Sequence, residues 1–402
     1  MPTQMTGSRF IGSNRRAFIK VGGFLVAAAH MPAACTSAAA PGTPSITTPT
    51  RPGIPSQTAP VTAVNAWETE WRSLMAAAKQ EGKLSVMTRP GETYRSFLRK
   101  FETFLPGITL EHQGLIALNV APRLVQERKA GVYEWDVAIL TATTPLRVLK
   151  PEGALDPIKP VVFHPDALKD ASWQGGFDAG WMDLDKRYGY AYGGVRNRVV
   201  WINTDLVGAN EIKTALDLLN PKWKGKIIAG DPRIGGFGNT ATVMRLKHGD
   251  DIVRRLYKDQ AVVVGREQRQ MMELLMRGQY AIGITVVNEQ LLVEFLAQGV
   301  AKNLKYIDLE DADYLSATGN IVFLFNRAPN PNTAKLFLNW LLTKEGQTAW
   351  VETTKENSRR LDVPAGNLDF LGSPGKKYLN LETEEAIPLQ ERTAQLAQEA
   401  LN

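Results

Sequence analysis

The stretch Asp217–Met244, DLLNPKWKGKIIAGDPRIGGFGNTATVM, decides how the chain is read. Ile227–Ala229 is a short β-branched run, long enough only for a buried strand. Asp231-Pro232 followed by Gly235, Gly236 and Gly238 makes a turn that few side chains could follow. Asn239 or Thr240 is placed to cap a helix beginning at Ala241. A strand, a glycine-rich turn and a helix N-terminus aim free backbone N–H groups at one spot, which suits an anion or a polar oxygen.

Outward from this stretch, helices and strands alternate. Downstream come a helix over Val243–Tyr257, a strand at Ala261–Gly265, a helix carrying Met271, Met272, Leu275 and Met276, and strands at Tyr280–Thr285 and Leu304–Leu309. Methionines at that spacing read as core rather than as a cofactor contact. Upstream, Trp67, Trp71, Leu74, Met75 and Ala78 form the stripe of a helix that ends at Glu81-Gly82. Lys83–Thr88 is the first strand, and Tyr94, Phe97, Leu98 and Phe101 are the next helical stripe. Ile108–His112 is a strand, Val120–Ala130 a helix, and Trp135–Leu140 a strand. Such alternation with short loops implies parallel, helix-covered α/β sheets.

Ligands of such sheets sit beyond the C-terminal strand ends. Here those ends are Thr88-Arg89-Pro90-Gly91 and Leu140-Thr141-Ala142-Thr143-Thr144. Arg89 is the best-placed basic group there, and Thr141 and Thr143 offer hydroxyls. The plain alternatives are a solvated loop arginine and helix-capping threonines. In the second half, Arg233, Gly236, Phe237, Gly238 and Asn239 join the candidate ligand contacts, with Asn288 after the Tyr280–Thr285 strand. Arg233 also reads as a surface arginine, and the glycines as simple turn chemistry. The aromatic, β-branched run Tyr188–Thr204, which includes the candidate contact Tyr192, fits one long strand.

Three runs carry a resemblance. They are Asp217–Ile227 (DLLNPKWKGKI), Trp201-Ile202-Asn203-Thr204 after the tyrosine-glycine segment, and Gly319–Leu342 with its APNPNTAKLFLNWLL. In this order they resemble the extracellular solute-binding proteins of ABC transporters, in the branch that contains the ferric-ion binders, over about Trp67 to Pro364. The resemblance implies a two-lobed, type II periplasmic-binding-protein fold of class α/β. Each lobe is then a mainly parallel sheet covered by helices, and crossover strands join the two. It places the first lobe at 66–195 plus 312–352 and the second at 196–311 plus 353–402. It implies closure of the lobes on a small-molecule ligand, delivery to the transmembrane subunits of an ABC permease, a monomer, no cofactor and no catalysis. Ferric-ion binders of this branch place two adjacent tyrosines after the strand matching Tyr280–Thr285. Here Val286-Val287-Asn288-Glu289 stands there, and no Tyr-Tyr pair occurs in the chain. With donors and positive helix ends outnumbering acids among the candidates, the expected ligand is a small anionic or phosphorylated organic solute, with ferric iron as the alternative.

Composition limits the other classes. The 402 residues suit two lobes, and 44% hydrophobic with 22% charged residues is a globular mix. The formal charge of +6 is misleading, because Arg9, Arg15, Arg16 and Lys20 lie in the first 34 residues without an acid, leaving +2 for the rest. No basic stripe suited to nucleic acid is present. One cysteine, Cys35, excludes an internal disulfide, and the histidines at 30, 112, 164 and 248 are too scattered for a metal motif. Asn14–Lys20 (NRRAFIK) before the apolar run Val21–Ala34 resembles a twin-arginine signal peptide. Pro32-Ala33-Ala34-Cys35 resembles a lipobox that makes Cys35 the site of lipid attachment to the membrane, departing from the pattern at Pro32. Residues 35–65, rich in Pro, Ser, Thr and Ala, read as an extended tether. Together these imply a periplasmic protein at the outer face of the cytoplasmic membrane. The competing class is an exported dinucleotide-dependent oxidoreductase, because Gly236–Ala241 matches G-x-G-x-x-A. That motif stands mid-chain, with Glu267 as the only late acid for a ribose. No G-x-S-x-G elbow marks a hydrolase.

Overall fold

The computed structural model describes residues 65–402 except 116, 198, 209, 235, 318 and 373–377, with only the backbone described at 117–119 and 289–290. The expectations for the leader, Cys35, the tether and Gly235 lie outside the described residues.

Fourteen strands, among the described residues, form three sheets. The first sheet contains β1 (Lys83–Thr88), β2 (Thr109–Gly114), β3 (Val137–Leu140), β4 (Leu155–Asp156), β5 (Gly189–Ala191) and β13 (Ile321–Phe325). The second contains β7 (Val200–Asn203), β8 (Ile227–Gly230), β9 (Val263–Gly265), β10 (Ile282–Ile284) and β11 (Leu304–Ile307). A third, small sheet joins β6 (Val195–Arg196), β12 (Tyr314–Ser316) and β14 (Leu379–Asn380). The first sheet runs β2-β1-β3-β13-β4, with β5 also on β13; the second runs β11-β7-β10-β8-β9.

Both large sheets are mixed. Parallel cores β2-β1-β3 and β10-β8-β9 each meet an antiparallel strand, β13 in one and β7 in the other. Each antiparallel strand directly follows a crossover: β7 comes after β6, and β13 after β12. A chain that enters a parallel sheet from the opposite lobe arrives pointing the other way, so the crossovers and the antiparallel insertions have one cause.

Each sheet carries apolar clusters on its faces. β1 is buried from Leu84 to Thr88, with Ser85 enclosed between Leu84 and Val86. Against the first sheet, Phe97 and Phe101 of the helix Glu92–Phe104 meet Trp340 and Trp350 of the helices Pro331–Leu342 and Lys344–Thr354, with ring centroids 4.9–5.6 Å apart. Aromatic pairs in this geometry add about 0.5–1.5 kcal/mol each beyond their buried area. The Pro331–Leu342 helix starts where Glu81 accepts the backbone N–H groups of Asn332 and Thr333 at 3.0 and 2.7 Å. A carboxylate borrowed from another helix thus caps it.

Several expectations change. The long strand over Tyr188–Thr204 is three short ones, because β5 belongs to the first sheet, β6 to the crossover and β7 to the second. The helix expected over Val243–Tyr257 begins earlier, at Asn239, ends at His248 and resumes at Asp251, with Gly249 at the break. Asn239 and Thr240 lie inside the first turn of that helix, which follows Gly238, and neither side chain caps it. Arg360 and Val363, expected with the second lobe, pack with the first: Val363 lies in the first-sheet core, and Arg360 donates to Leu342 carbonyl at 3.0 Å. The chain finishes in the helix Ile387–Leu401, which packs on the second lobe against Asn239–His248 and Asp251–Arg254. Among the described residues, no helix is long and apolar enough to cross a membrane.

Candidate functional site

The first-lobe wall is built from the ends of β1 and β3. Arg89 follows β1 directly, and its Nη2 donates to both oxygens of Glu356, at 3.1 and 3.0 Å, and to Asn320 Oδ1 at 3.1 Å. Its guanidinium lies 4.9 Å from the Tyr94 ring centroid, and the Tyr94 hydroxyl donates to Glu356 at 2.7 Å. Burial works against the Arg89 charge, but Glu356 outweighs it and holds the guanidinium above its ordinary pKa. Thr141 is brought to Arg89 by Gly319. A Cβ on Gly319 would stand 2.8 Å from Arg89 Cδ and Nε and 3.4 Å from Thr141 Cγ2, and φ there is +82°. Only glycine fits that corner. Tyr192 sits beside this ion pair, fully buried, with its hydroxyl unpartnered. Burial drives the Tyr192 phenol well above its usual range, and Glu356 reinforces the shift.

The second-lobe wall follows β8. Phe237 lies over Gly230 and accepts a long hydrogen bond from Thr285 Oγ1 at 3.4 Å through its carbonyl. Gly238 is pressed onto the preceding turn, where an added Cβ would lie 2.5 Å from the Pro232 carbonyl oxygen. Gly236 lies in the same turn. Asn239 is buried in the first helical turn. Thr285, which follows β10, has φ of +55°, a costly conformation for a β-branched residue.

The two walls meet through side chains that sequence reading did not find. Gln390 accepts from Thr143 Oγ1 at 3.2 Å and donates to Asn239 Oδ1 at 2.8 Å, so one amide links the lobes. Glu382, 2% exposed, lies at the same junction. Its Oε2 accepts from the Ala142 N–H at 3.1 Å; its Oε1 accepts from Ser316 Oγ at 3.4 Å and Asn239 Nδ2 at 3.5 Å. Burial raises the Glu382 carboxyl above the ordinary range, and these donors together with Arg89 oppose the shift only in part.

Residues 83–353 match the family described as bacterial extracellular solute-binding protein. The chain belongs to the bacterial extracellular solute-binding proteins. No functionally curated relative matches its sequence. The fold is that of an ABC-transporter substrate-binding protein from Agrobacterium tumefaciens, with TM-score 0.61 and 16% identity over 80% of this chain and 94% of that one. It is also that of iron-bound HitA from Pseudomonas aeruginosa, with TM-score 0.58 and 17% identity over 79% and 99%. A third match is AfuA from Actinobacillus pleuropneumoniae with fructose-6-phosphate bound, with TM-score 0.59 and 17% identity over 79% and 97%.

In this solute-binding protein the expected site residues divide. Arg89, Thr141 and Tyr192 share the first-lobe wall, while Thr143 and Asn239 meet through Gln390. Arg233 is engaged elsewhere: it donates to both oxygens of Asp231, at 2.7 and 2.8 Å, and to Gln398 of the C-terminal helix at 3.0 Å. Burial opposes ionisation of Asp231, yet Arg233 and Arg266 hold its carboxyl below the usual range. Asn288 accepts from the Leu291 N–H at 3.2 Å, as a cap of the helix Glu289–Ala297, and donates to Gln268 at 3.3 Å. Both arginines expected to face a solute are therefore already matched by carboxylates, Glu356 and Asp231. The Arg233 pairing is local, with Asp231 two residues before it, whereas the Arg89 pairing leaves no signal in its local sequence, because Glu356 is 267 residues away. Two surface cavities, of 520 and 260 Å³, are lined by second-lobe residues near Phe295 and Tyr306, and none of the expected site residues lines them. Among the described residues no cluster of His, Cys, Asp and Glu could hold a metal ion.

Proposed function

We propose that this chain is the solute-binding subunit of an ABC importer, capturing a small anionic organic solute between its lobes and handing it to the permease. The observation that carries the ligand class is the set of donors collected where the lobes meet. The Ala142 N–H comes from the end of β3, Ser316 from the β12 crossover, and Asn239 from the helix after β8. All three surround a carboxylate rather than a cation. Arg89 stands behind them in the first lobe, adding positive potential. The protein from Agrobacterium tumefaciens with this fold is the substrate-binding protein of an ABC transporter, and AfuA is a periplasmic binding protein seen with fructose-6-phosphate bound. Both support the transport role, and the second an anionic solute. Iron is the less favoured cargo, since the segment after β10 is Thr285, Val286, Val287 and Asn288, which offers no phenolate.

The proposal extends to delivery. A twin-arginine leader, a lipid on Cys35 and the extended segment 35–65 would keep the lobes near the permease at the outer face of the membrane. Cys35→Ala is expected to release the protein from the membrane fraction without altering solute binding.

Native mass spectrometry on protein purified without denaturation, followed by calorimetry with organic acids and sugar phosphates, tests the binding role. A solute present at 100 times its Kd is expected to raise stability by about 2.7 kcal/mol. A cationic or uncharged solute bound more tightly than every anion tested would overturn the anionic reading. One equivalent of retained iron would replace it with the metal.

A further inference from the structure

The donors around Glu382 have a pattern. Each carboxylate oxygen has its own: Oε2 takes the Ala142 N–H, and Oε1 takes Ser316 Oγ and Asn239 Nδ2. Among the described residues, no lysine or arginine lies within ion-pair distance of Glu382, although it is 2% exposed. A buried carboxylate without a cation is costly, and an amide or apolar side chain of similar volume would fill the space at lower cost. What the surroundings do fit is a planar, two-oxygen anion. A phosphate brings a third charged oxygen and a higher charge, for which no further donor or paired cation is at hand.

The chain just after Glu382 is fastened to both lobes. On the first lobe, Glu384 pairs with Lys150 at 2.7 Å, accepts the Leu184 N–H at 2.8 Å and gives its own N–H to the Met182 carbonyl at 2.8 Å. On the second lobe, the helix Ile387–Leu401 is fixed through Thr393, which bonds Thr242 at 3.0 Å and Arg245 at 2.9 Å. Just before Glu382 lies β14, an edge strand only two residues long and exposed, paired in parallel with β12. Glu382 thus stands between this short strand and the two fastenings, its N–H donating to Asn380 Oδ1 at 2.9 Å.

We propose that Ala142 N–H, Ser316 and Asn239 form a carboxylate subsite between the lobes, and that Glu382 fills it, so a solute carboxylate enters by exchanging with Glu382. This rests on the solute-binding reading above and narrows the ligand to a carboxylic acid. The C-terminal segment then acts as a built-in competitor. It lowers apparent affinity for every solute, and it leaves the donors satisfied whenever no solute is in place.

The test uses the full chain and needs no knowledge of the natural solute. In Glu382→Ala, formate at the same ionic strength as a chloride control is expected to raise the Tm by about 2 °C or more, while wild type shows no formate-specific rise. Absence of that rise in folded Glu382→Ala, or an equal rise in wild type, overturns the subsite. Should Glu382→Ala fail to fold, Glu382→Gln decides the matter. Whichever way its amide is turned, the NH2 faces a donor, so a lower Tm at neutral pH is expected. An equal or higher Tm would mean that Glu382 only fills space. A wild-type solute screen is kept separate. Formate uptake by Glu382→Ala with no solute found for wild type would leave the subsite standing and count against the importer role. A solute carboxylate bound by wild type while Glu382→Ala ignores formate would remove the subsite alone.

Discussion

Arg89 and Glu356 form an ion pair across 267 residues of sequence, with Arg89 Nη2 3.1 and 3.0 Å from the two carboxylate oxygens. The pair closes the first-lobe wall, because Glu356 also takes the Tyr94 hydroxyl and Arg89 also reaches Asn320 beside the crossover. It makes the most conspicuous basic group at a strand end a structural cation first. Glu356→Gln should lower stability by about 1–2 kcal/mol, the worth of a partly exposed charged hydrogen bond, as read by urea unfolding. It should also raise affinity for an anionic solute by freeing the guanidinium. Unchanged affinity in calorimetry would place Arg89 outside the site.

Gly319 is the spacer of that wall. Gly319→Ala puts a methyl against Arg89 Cδ and Nε at 2.8 Å and forces alanine into φ of +82°. The backbone term alone costs about 1–2 kcal/mol, and the displaced arginine should weaken solute binding as well. A variant with wild-type stability and affinity would mean that the corner relaxes freely.

Glu382 and Asp231 should respond to pH with opposite signs. Burial raises the Glu382 carboxyl, so the folded chain holds that proton more tightly than the unfolded chain does. The resulting stability is complete below the unfolded glutamate value of about 4.3 and is lost as pH rises through the folded value. Wild type should therefore lose stability relative to Glu382→Gln on going from about pH 4 to about pH 8. A difference that stays flat over that range would show no proton linkage at Glu382.

Asp231 behaves the other way. Burial opposes its ionisation, but Arg233 and Arg266 overcome it and hold the carboxyl low. Its stabilisation is present above the unfolded aspartate value of about 3.9 and fades as pH falls through the folded value. Asp231→Asn leaves both arginines, which are partly exposed, without their shared partner and should cost about 1–2 kcal/mol at neutral pH, with little change in acid. Guanidinium unfolding of the two proteins at neutral and acid pH measures that difference. Equal losses at both pH values would refute an electrostatic origin.

Much of the fold was legible because it is written locally. β1 coincides with the expected Lys83–Thr88, since Leu84, Val86 and Met87 stand between the Gly82 helix stop and the Arg89-Pro90 turn. Tyr94, Phe97, Leu98 and Phe101, all buried in the first-lobe core, recur at helical spacing and could be read from sequence. The crossover was misjudged as one strand because β5, β6 and β7, with Gly193-Gly194 between the first two, pair in three different sheets. Local propensity cannot say which partner a strand will find.

The site was legible only as an address. Strand ends and a glycine turn located Arg89, Thr141, Thr143 and Asn239 near one another in principle, because parallel sheets present their C-terminal ends together. The sequence by itself determined the family, the alternation of helices and strands, and the residues at those ends. Only tertiary structure decided which charges stand unpaired. Glu356 neutralises Arg89 from 267 residues away, and Glu382 comes to the Ala142 N–H from 240 residues away. Electrostatic free energy depends on separation in space and on exclusion of water, and neither is a property of a residue's sequence neighbours.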